Sequence, residues 1–412
     1  MLTASTINGS LLNLADRCFS LDELRKLRRS TPYYCPGCRE RVVMKLGEKK
    51  IWHFAHQGSP PCEMEWERES NYHLTGKQQL YNWLREDHQD VQLEHVLIAS
   101  NQRPDLFLPS SRTAVEFQCA SIEARLLTKR SHDYNATNIH VTWILGAKRL
   151  KRIYSLIHNL SAMDWAAASH HRGSPSIYYY CPEERTFANL TIHYSLTPTK
   201  FICTTTYHSA STTSYFDLFK SHSPFTIHES VPIWFKQKQI WRQNPHGEKS
   251  FIYYFLRKRL YLSGKSIRFF PSEAGIPSSQ NYWIETPSYL WQTWIIICFL
   301  SLTPQNKSFS MQSLINAFQQ VIDATLIKVR YSPHMVQGEG VSAALKGYVD
   351  QLIRLKVLKE WDNERYEKLY QPEVHQQVEQ CTKKIMKFSG NLCETATFVE
   401  RNCKHPKRNM VR

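Results

Sequence analysis

The chain has 412 residues, of which 42% are hydrophobic and 12% aromatic, so two or three domains with real cores are expected. Disorder over most of the length is not expected from this composition. The net charge of +16 and the pI near 9.3 favour a polyanionic partner, nucleic acid before an anionic membrane surface.

Eleven cysteines are an odd number, and most of them stand alone, which is not the pattern of a secreted disulfide framework. The first residues lack the basic and apolar segments of a signal peptide. The longest apolar run, residues 289–300, is too short to span a bilayer and predicts a buried helix. We therefore expect a cytoplasmic protein with reduced thiols and no membrane insertion.

The first part of the chain predicts a small β module. A charged helix is expected over residues 21–29, followed by Cys35 and Cys38 on either side of a Pro-Gly turn. Residues 41–46 and 51–54 have the pattern of two strands that form a hairpin.

Cys35, Cys38, His53 and His56 have the number and chemistry of ligands of a tetrahedral structural zinc site. Cys62 is a further candidate that could replace either histidine. The alternative is that the two histidines are packing residues beside a metal-free turn. A catalytic zinc hydrolase is not expected, because the chain has no H-E-x-x-H motif.

The next segment predicts an α/β unit of roughly 80 residues. A helical pattern covers residues 67–86, and a second helix is expected over 122–134. Strands are expected between and after them, at residues 91–99, 105–108, 114–119 and 140–145.

Two of these strands bring acidic residues together. Asp105 begins one strand, and Glu116 and Gln118 lie two residues apart on the next, so that Glu116 and Gln118 share a face. Asp105 and Glu116 would form a pocket of oxygen ligands for Mg²⁺. The alternative is a solvated hairpin with its polar residues facing outward.

Glu69, His73 and Lys77 recur at helical spacing and form one stripe. Spacing alone favours a solvated face. The functional alternative places the stripe opposite Asp105 and Glu116, where Lys77 would approach a phosphate. Gly76 lowers the helix propensity of this segment by about 1 kcal/mol.

Taken in order, these signals resemble the CoiA family of bacterial competence proteins. The resemblance rests on Cys35-x₂-Cys38, Trp52-His53-Phe54-Ala55-His56, Glu69-Ser70 with His73 and Lys77, Arg103-Pro104-Asp105, Val115-Glu116-Phe117-Gln118, Arg130 with Tyr134, and Trp143-Ile144-Leu145. It implies a zinc-ribbon-like module before a nuclease-like α/β core of the PD-(D/E)XK superfamily. It also implies the handling of DNA, single-stranded or as a processed duplex, during natural transformation, with recombination proteins as candidate partners.

Carried over residue by residue, the resemblance makes Asp105 the first acid of the superfamily, Glu116 the second and Glu69 the helix acid. The superfamily usually has a lysine two residues after the second acid. Gln118 occupies that position here, so Lys77 or Arg130 would have to supply the positive charge. Two functions follow: a Mg²⁺-dependent deoxyribonuclease, or a DNA-binding accessory factor of recombination that does not cleave. A zinc-stabilised protein that binds RNA is a third.

The predicted organisation is a zinc-ribbon-like module (1–65), a nuclease-like domain (66–150), a mixed region (151–280), a mainly helical domain (281–380) and a basic tail (381–412). Residues 289–369 predict either a DNA-binding winged helix or a helical packing domain. Tyr178-Tyr179-Tyr180 and the segment from Trp234 to Arg242 are either base-stacking surfaces or core. Cys393, Cys403 and His405 are a weak candidate for a further metal site.

Overall fold

A computed structural model describes most of the chain. The described residues are 1–16, 18–57, 62, 69–88, 90–170, 174–220, 225, 227–245, 248–333, 338–362 and 364–375. The predicted basic tail, with Cys393, Cys403 and His405, lies outside them. Within the described part, every cysteine is a free thiol, and no helix is both long and apolar enough to cross a membrane.

The N-terminal module is an antiparallel sheet with one helix. Its elements are β1 (Thr3–Ser5), β2 (Leu11–Asn13), α1 (Leu21–Ser30), β3 (Tyr33–Tyr34), β4 (Arg41–Lys45) and β5 (His53–His56). The strand order is β2-β1-β3-β4-β5. Helix α1 begins with a capping box in which Ser20 and Glu23 bond to each other's backbone N–H groups. The predicted charged helix and hairpin are confirmed.

The central region is built on one large mixed sheet. Its elements are α2 (Asn71–Asp87), β6 (Gln92–Leu93), β7 (Leu106–Leu108), β8 (Thr113–Gln118), α3 (Ala124–Asn135), β9 (His140–Gly146), β10 (Ile157–Asn159), α4 (Ala162–Ala166), β11 (Ser176–Cys181), β12 (Thr186–Ser195), β13 (Lys200–Ser209) and α5 (Tyr215–Lys220). The strand order is β10-β13-β12-β11-β9-β8-β7-β6. The predicted order of helix, strands, helix and strand is present, although the first strand is much shorter than residues 91–99.

Alternating side chains of β8 and β9 pack against helices on both sides of this sheet. Val115 and Phe117 share a buried cluster with Leu74 of α2, whereas Ala114 lies in the cluster that contains Leu127 of α3. Strands β8 and β9 are parallel, and β9 is parallel to β11. The sheet therefore extends beyond residue 150, the position at which the sequence predicts a domain boundary.

The remaining described elements are mainly helical. They are α6 (Ile227–Gln243), α7 (Phe251–Tyr261), α8 (Ser288–Trp294), β14 (Ser308–Ser310), α9 (Met311–Asp323), α10 (Glu339–Arg354), β15 (Leu358–Asp362) and β16 (Arg365–Lys368). Helix α8 continues as a π-helical turn, Ile295–Phe299. The side chains of α8 are buried, as predicted, and so are Ile295 and Ile296 of the turn.

The order of elements from α8 to β16 is that of a winged helix, with β15 and β16 as the wing. In such modules the helix in the position of α10 enters the DNA groove. Here α10 packs inward: Gly340 lies against the ring of Trp283 and Gly347 against Ser279. Half of its 16 residues are buried. This packing favours the alternative of a helical packing domain.

The predicted base-stacking surfaces are part of the core. Tyr178, Tyr179 and Tyr180 are 3%, 0% and 1% exposed, and Trp234 and Trp241 are also buried. The interpretation of these rings as base-stacking surfaces is therefore wrong, and the alternative, that they belong to the core, is right, because their faces are covered by protein.

Gly76 illustrates how tightly α2 packs on the sheet. A Cβ atom at this position would collide with the ring of Phe117, which is 1% exposed. We expect Gly76→Ala to destabilise the protein by about 1–3 kcal/mol, although alanine favours the helix by about 1 kcal/mol. Chemical denaturation measures this. The control is Gly47→Ala, where a Cβ meets nothing within 4 Å; equal stability of the two variants would contradict the close packing.

Candidate functional site

Asp105 lies directly before β7, at the point where pairing with β8 ends. Its Oδ2 atom accepts a hydrogen bond from the backbone N–H of Phe117 at 2.9 Å and lies 3.3 Å from Nε2 of His73. Burial opposes a charge on His73, but Asp105 outweighs burial and the pKa of His73 is raised. The carboxylate is thus fixed between the sheet and α2.

Helix α2 presents His73 and Lys77 to Asp105. The side chain of Ser70 caps the helix by accepting a hydrogen bond from the backbone N–H of His73 at 3.1 Å. His73 and Lys77 are four residues apart and are only 6% and 2% exposed. The interpretation of this stripe as a solvated face is therefore wrong.

Lys77 joins three carboxylates. Its Nζ atom is 2.8 Å from Asp105 Oδ1 and 2.8 Å from Glu94 Oε1, and it also contacts Glu69. Lys77 lies on α2, and Glu69 lies in the loop before it. Glu94 directly follows β6, and Asp105 directly precedes β7. We call Glu69, Lys77, Glu94 and Asp105 the carboxylate cluster.

The carboxylate cluster is held in its charged form. Burial alone would raise the pKa of Glu94, but Lys77 lowers it to about 2, and the pKa values of Asp105 and Glu69 are lowered for the same reason. Burial opposes the charge of Lys77, yet the three carboxylates raise its pKa well above the usual value. Lys77 is therefore an ammonium ion that stabilises negative charge and does not accept protons.

Glu94 was not predicted as a site residue. It has a left-handed backbone conformation, with φ of 52°, and the backbone N–H groups of Leu2 and Thr3 donate to its carboxylate at 2.9–3.0 Å. The amino group of Met1 contacts Glu69. Strand β1 thus positions the cluster from the N-terminal module. Nothing in the local pattern around Glu94 indicates these partners.

Glu116 is held by helix α3. The phenol of Tyr134 donates to Glu116 Oε1 at 2.5 Å, and the guanidinium of Arg130 forms an ion pair with the same oxygen. The Arg130 guanidinium also lies 5.2 Å from the ring centre of Trp143. Burial raises the pKa of Glu116, although Arg130 opposes the shift. Gln118, two residues along β8, donates to the backbone oxygen of Ala120 at 3.1 Å.

The residues that could hold a metal ion differ from the predicted pair. Ligand atoms of Glu69, His73 and Asp105 lie within 4.8 Å of one another. Glu116 is not part of this group among the described residues. Asp105 and Glu116, the predicted Mg²⁺ ligands, thus lie at neighbouring strands. The ligand atoms grouped with that of Asp105 are those of Glu69 and His73.

A second group of metal-ligand residues lies in the N-terminal module. The ligand atoms of Cys35, Cys38, His56 and Cys62 are all within 4.8 Å of one another. Cys35 Sγ is 3.9 Å from Cys62 Sγ, and Cys38 Sγ is 3.3 Å from His56 Nε2. Zn–S bonds of about 2.3 Å place two sulfurs of a tetrahedral site about 3.8 Å apart. The donor atoms thus have the spacing and chemistry of a structural zinc site.

His53 does not belong to this group. It lies three residues before His56 on β5, and residues three apart on a strand point to opposite faces of the sheet. The Nδ1 atom of His53 is instead 2.8 Å from the backbone oxygen of Ile51. Cys62, the spare candidate from the sequence, takes the fourth position.

Arg103 lies between the two groups. Its Nη1 atom is 3.5 Å from Cys35 Sγ. Burial opposes the charge of this guanidinium, but Glu94, Cys35 and Glu69 raise its pKa. The cysteine group and the carboxylate cluster therefore share one cation, which ties the geometry of the N-terminal module to that of the central sheet.

Comparisons with known proteins identify the family of this chain. Three family models match: the competence protein CoiA N-terminal domain over residues 17–65, its nuclease-like domain over 69–223 and its C-terminal domain over 230–398. A curated "Competence protein CoiA" of Bacillus subtilis (strain 168) is 30% identical over 352 residues, which cover 83% of this chain and 91% of that protein. No solved structure matches. The nuclease-like match contains the whole segment from β6 to β13, and the chain belongs to the CoiA family of competence proteins.

Proposed function

We propose that this competence protein hydrolyses DNA phosphodiester bonds with a divalent cation, Mg²⁺, held at the carboxylate cluster, within a PD-(D/E)XK type of core. The observation that carries the proposal is the position of Lys77, whose ammonium group lies 2.8 Å from Asp105. Lys77 supplies from helix α2 the positive charge that Gln118 does not provide on β8. Both candidate cations are paired with carboxylates, but Lys77 fits better, because it contacts Asp105 and Glu69 of the candidate metal group, whereas Arg130 contacts Glu116.

The two acids fit a hard cation, since Asp105 and Glu69 offer carboxylate oxygens, and His73 lies beside them. When bound, the cation would polarise a phosphate oxygen and lower the pKa of the attacking water. Lys77 would stabilise the charge that develops on the phosphoryl group. Arg130 and Tyr134 would orient Glu116.

A specific observation favours the second candidate, a DNA-binding accessory factor that does not cleave. Glu116, the second acid, is already neutralised by the contact with Arg130 and by the hydrogen bond from Tyr134. In that case the cluster would be a structural ion network, and the protein would act by binding incoming DNA.

A cleavage assay separates the two functions. Labelled DNA is incubated with the purified protein in the presence of Mg²⁺, Mn²⁺ or a chelator. We expect metal-dependent cleavage, and a loss of roughly 100-fold or more in Asp105→Asn and Glu116→Gln. The control is Asp22→Asn, whose carboxylate is 84% exposed on α1. DNA binding by the wild type without cleavage would support the accessory function.

A further inference from the structure

One cavity lies where the parallel strands β8 and β9 end, and a second adjoins it. Their volumes are about 580 Å³ and about 320 Å³. Ala124, Ser161 and Ala162 line both, so the cavities adjoin at these residues, and we call the two together the α3 groove. Ligands of α/β sheets commonly bind outside the carboxyl ends of parallel strands. The position of the groove therefore suits a ligand.

The first cavity is lined by basic residues that follow β9. Lys148, Arg149 and Lys151 all contribute to its wall. Arg149 is held in place by Asp164, with Nη2 3.2 Å from Oδ1. Lys148 pairs with Glu183, but both side chains are more than half exposed, at 67% and 61%, so the pair is weak and a phosphate can replace it. This cavity favours an anion.

The second cavity adds aromatic rings. Trp165 and Phe201 form its floor and are stacked with ring centres 6.1 Å apart. The Arg330 guanidinium lies 4.8 Å from the ring centre of Phe201 and packs against this ring. At the rim, Tyr331 is 47% exposed and stacks on His132 with ring centres 5.9 Å apart. One face of the Tyr331 ring is thus covered by His132, while Tyr331 also lines the groove.

We propose that the α3 groove binds a single strand of DNA, with phosphates beside Lys148, Lys151 and Arg125 and a base stacked on Tyr331. Arg125 lies in the first turn of α3, where the backbone N–H groups also favour negative charge. Basic side chains beside an aromatic ring are the combination that binds unpaired nucleotides. A paired base cannot stack on Tyr331, because its faces are covered by its neighbours in the duplex.

The first cavity adjoins the end of β8, the strand that carries Glu116. Cys119 lines the first cavity and lies three residues after Glu116, which is about 10 Å along the strand. A strand in the groove would therefore approach the acids of β7 and β8. The inference rests on the proposed function in taking DNA as the polymer, but binding is measured without cleavage.

Fluorescence anisotropy with a labelled single strand, without added magnesium, tests the groove. We expect Tyr331→Ala to weaken binding roughly 5- to 100-fold and Tyr331→Phe to leave it nearly unchanged. Lys148→Ala/Lys151→Ala should reduce the slope of log affinity against log salt by about 1.4. A duplex of the same sequence should bind more weakly and be insensitive to Tyr331→Ala.

Matched controls remove one exposed aromatic ring and two positive charges elsewhere. They are Tyr207→Ala, whose ring is 60% exposed, and Arg28→Ala/Arg29→Ala on α1. Equal losses in the controls and the groove variants, or tighter binding of duplex or of RNA, would overturn the inference. If Asp105→Asn abolishes cleavage while the groove variants bind normally, the groove fails and the proposed function stands. If the wild type does not cleave but the groove variants lose binding, the proposed nuclease function fails and the groove stands.

Discussion

Cys62→Ser is expected to abolish stoichiometric zinc binding, whereas His53→Asn is expected to leave about one ion bound per chain. Cys62 is 5% exposed and its sulfur lies 3.9 Å from that of Cys35, but His53 points to the other face of β5. The measurement is elemental analysis after dialysis against a competing chelator, together with the thermal melting of each variant.

The effect on stability should also be large, because metal binding at a structural zinc site is coupled to folding of the module around it. Burial raises the pKa of the Cys38 thiol to about 12, and only a bound cation would keep that side chain as a thiolate. The cysteine control is Cys18→Ser, since Cys18 is exposed. Loss of zinc from His53→Asn together with retention in Cys62→Ser would restore the ligand set predicted from the sequence.

Lys77→Met is expected to destabilise the protein by about 3–5 kcal/mol, because it leaves Glu69, Glu94 and Asp105 buried without their shared cation. Chemical denaturation at neutral pH measures the loss. Lys129→Met is the control, since Lys129 is 67% exposed and its pair with Asp133 should contribute less than about 1 kcal/mol.

The dependence on pH and on a second substitution makes this prediction specific. The lowered pKa of Glu94, about 2, means that its ion pair stabilises the fold above the ordinary value of 4.5 and that this stability is lost as the pH falls towards 2. The difference between wild type and Lys77→Met should therefore shrink in acid. Lys77→Met/Glu94→Gln should recover about 0.5–3 kcal/mol. Additive losses would show that the two residues do not interact.

Local patterns predicted the local structure well. The capped helix α1, the β4–β5 hairpin and the buried helix beginning at Ser288 each follow from signals within a dozen or so residues. The pattern also contained the information that excludes His53, because a strand that places His56 on one face must place His53 on the other. A site that contains both histidines conflicts with this alternation.

Contacts between distant segments could not be predicted in the same way. Glu94 receives its backbone hydrogen bond from Leu2, 92 residues away, and the residues between them carry no pattern that implies the pairing. The inward orientation of Lys77 was also hidden, since polar residues at helical spacing normally face water. The presence of three carboxylates around it is what makes the burial of this lysine tolerable.

The parallel pairing of β9 with β11 has a consequence for how the chain folds during synthesis. Ile144 pairs with Tyr178, so one edge of β9 stays open until the segment some thirty residues later has left the ribosome. Strand β9 is rich in large apolar side chains, and such an edge is a template for wrong pairing. A fragment that ended at residue 150 would keep that edge permanently, and the chain must extend through β11 to cover it.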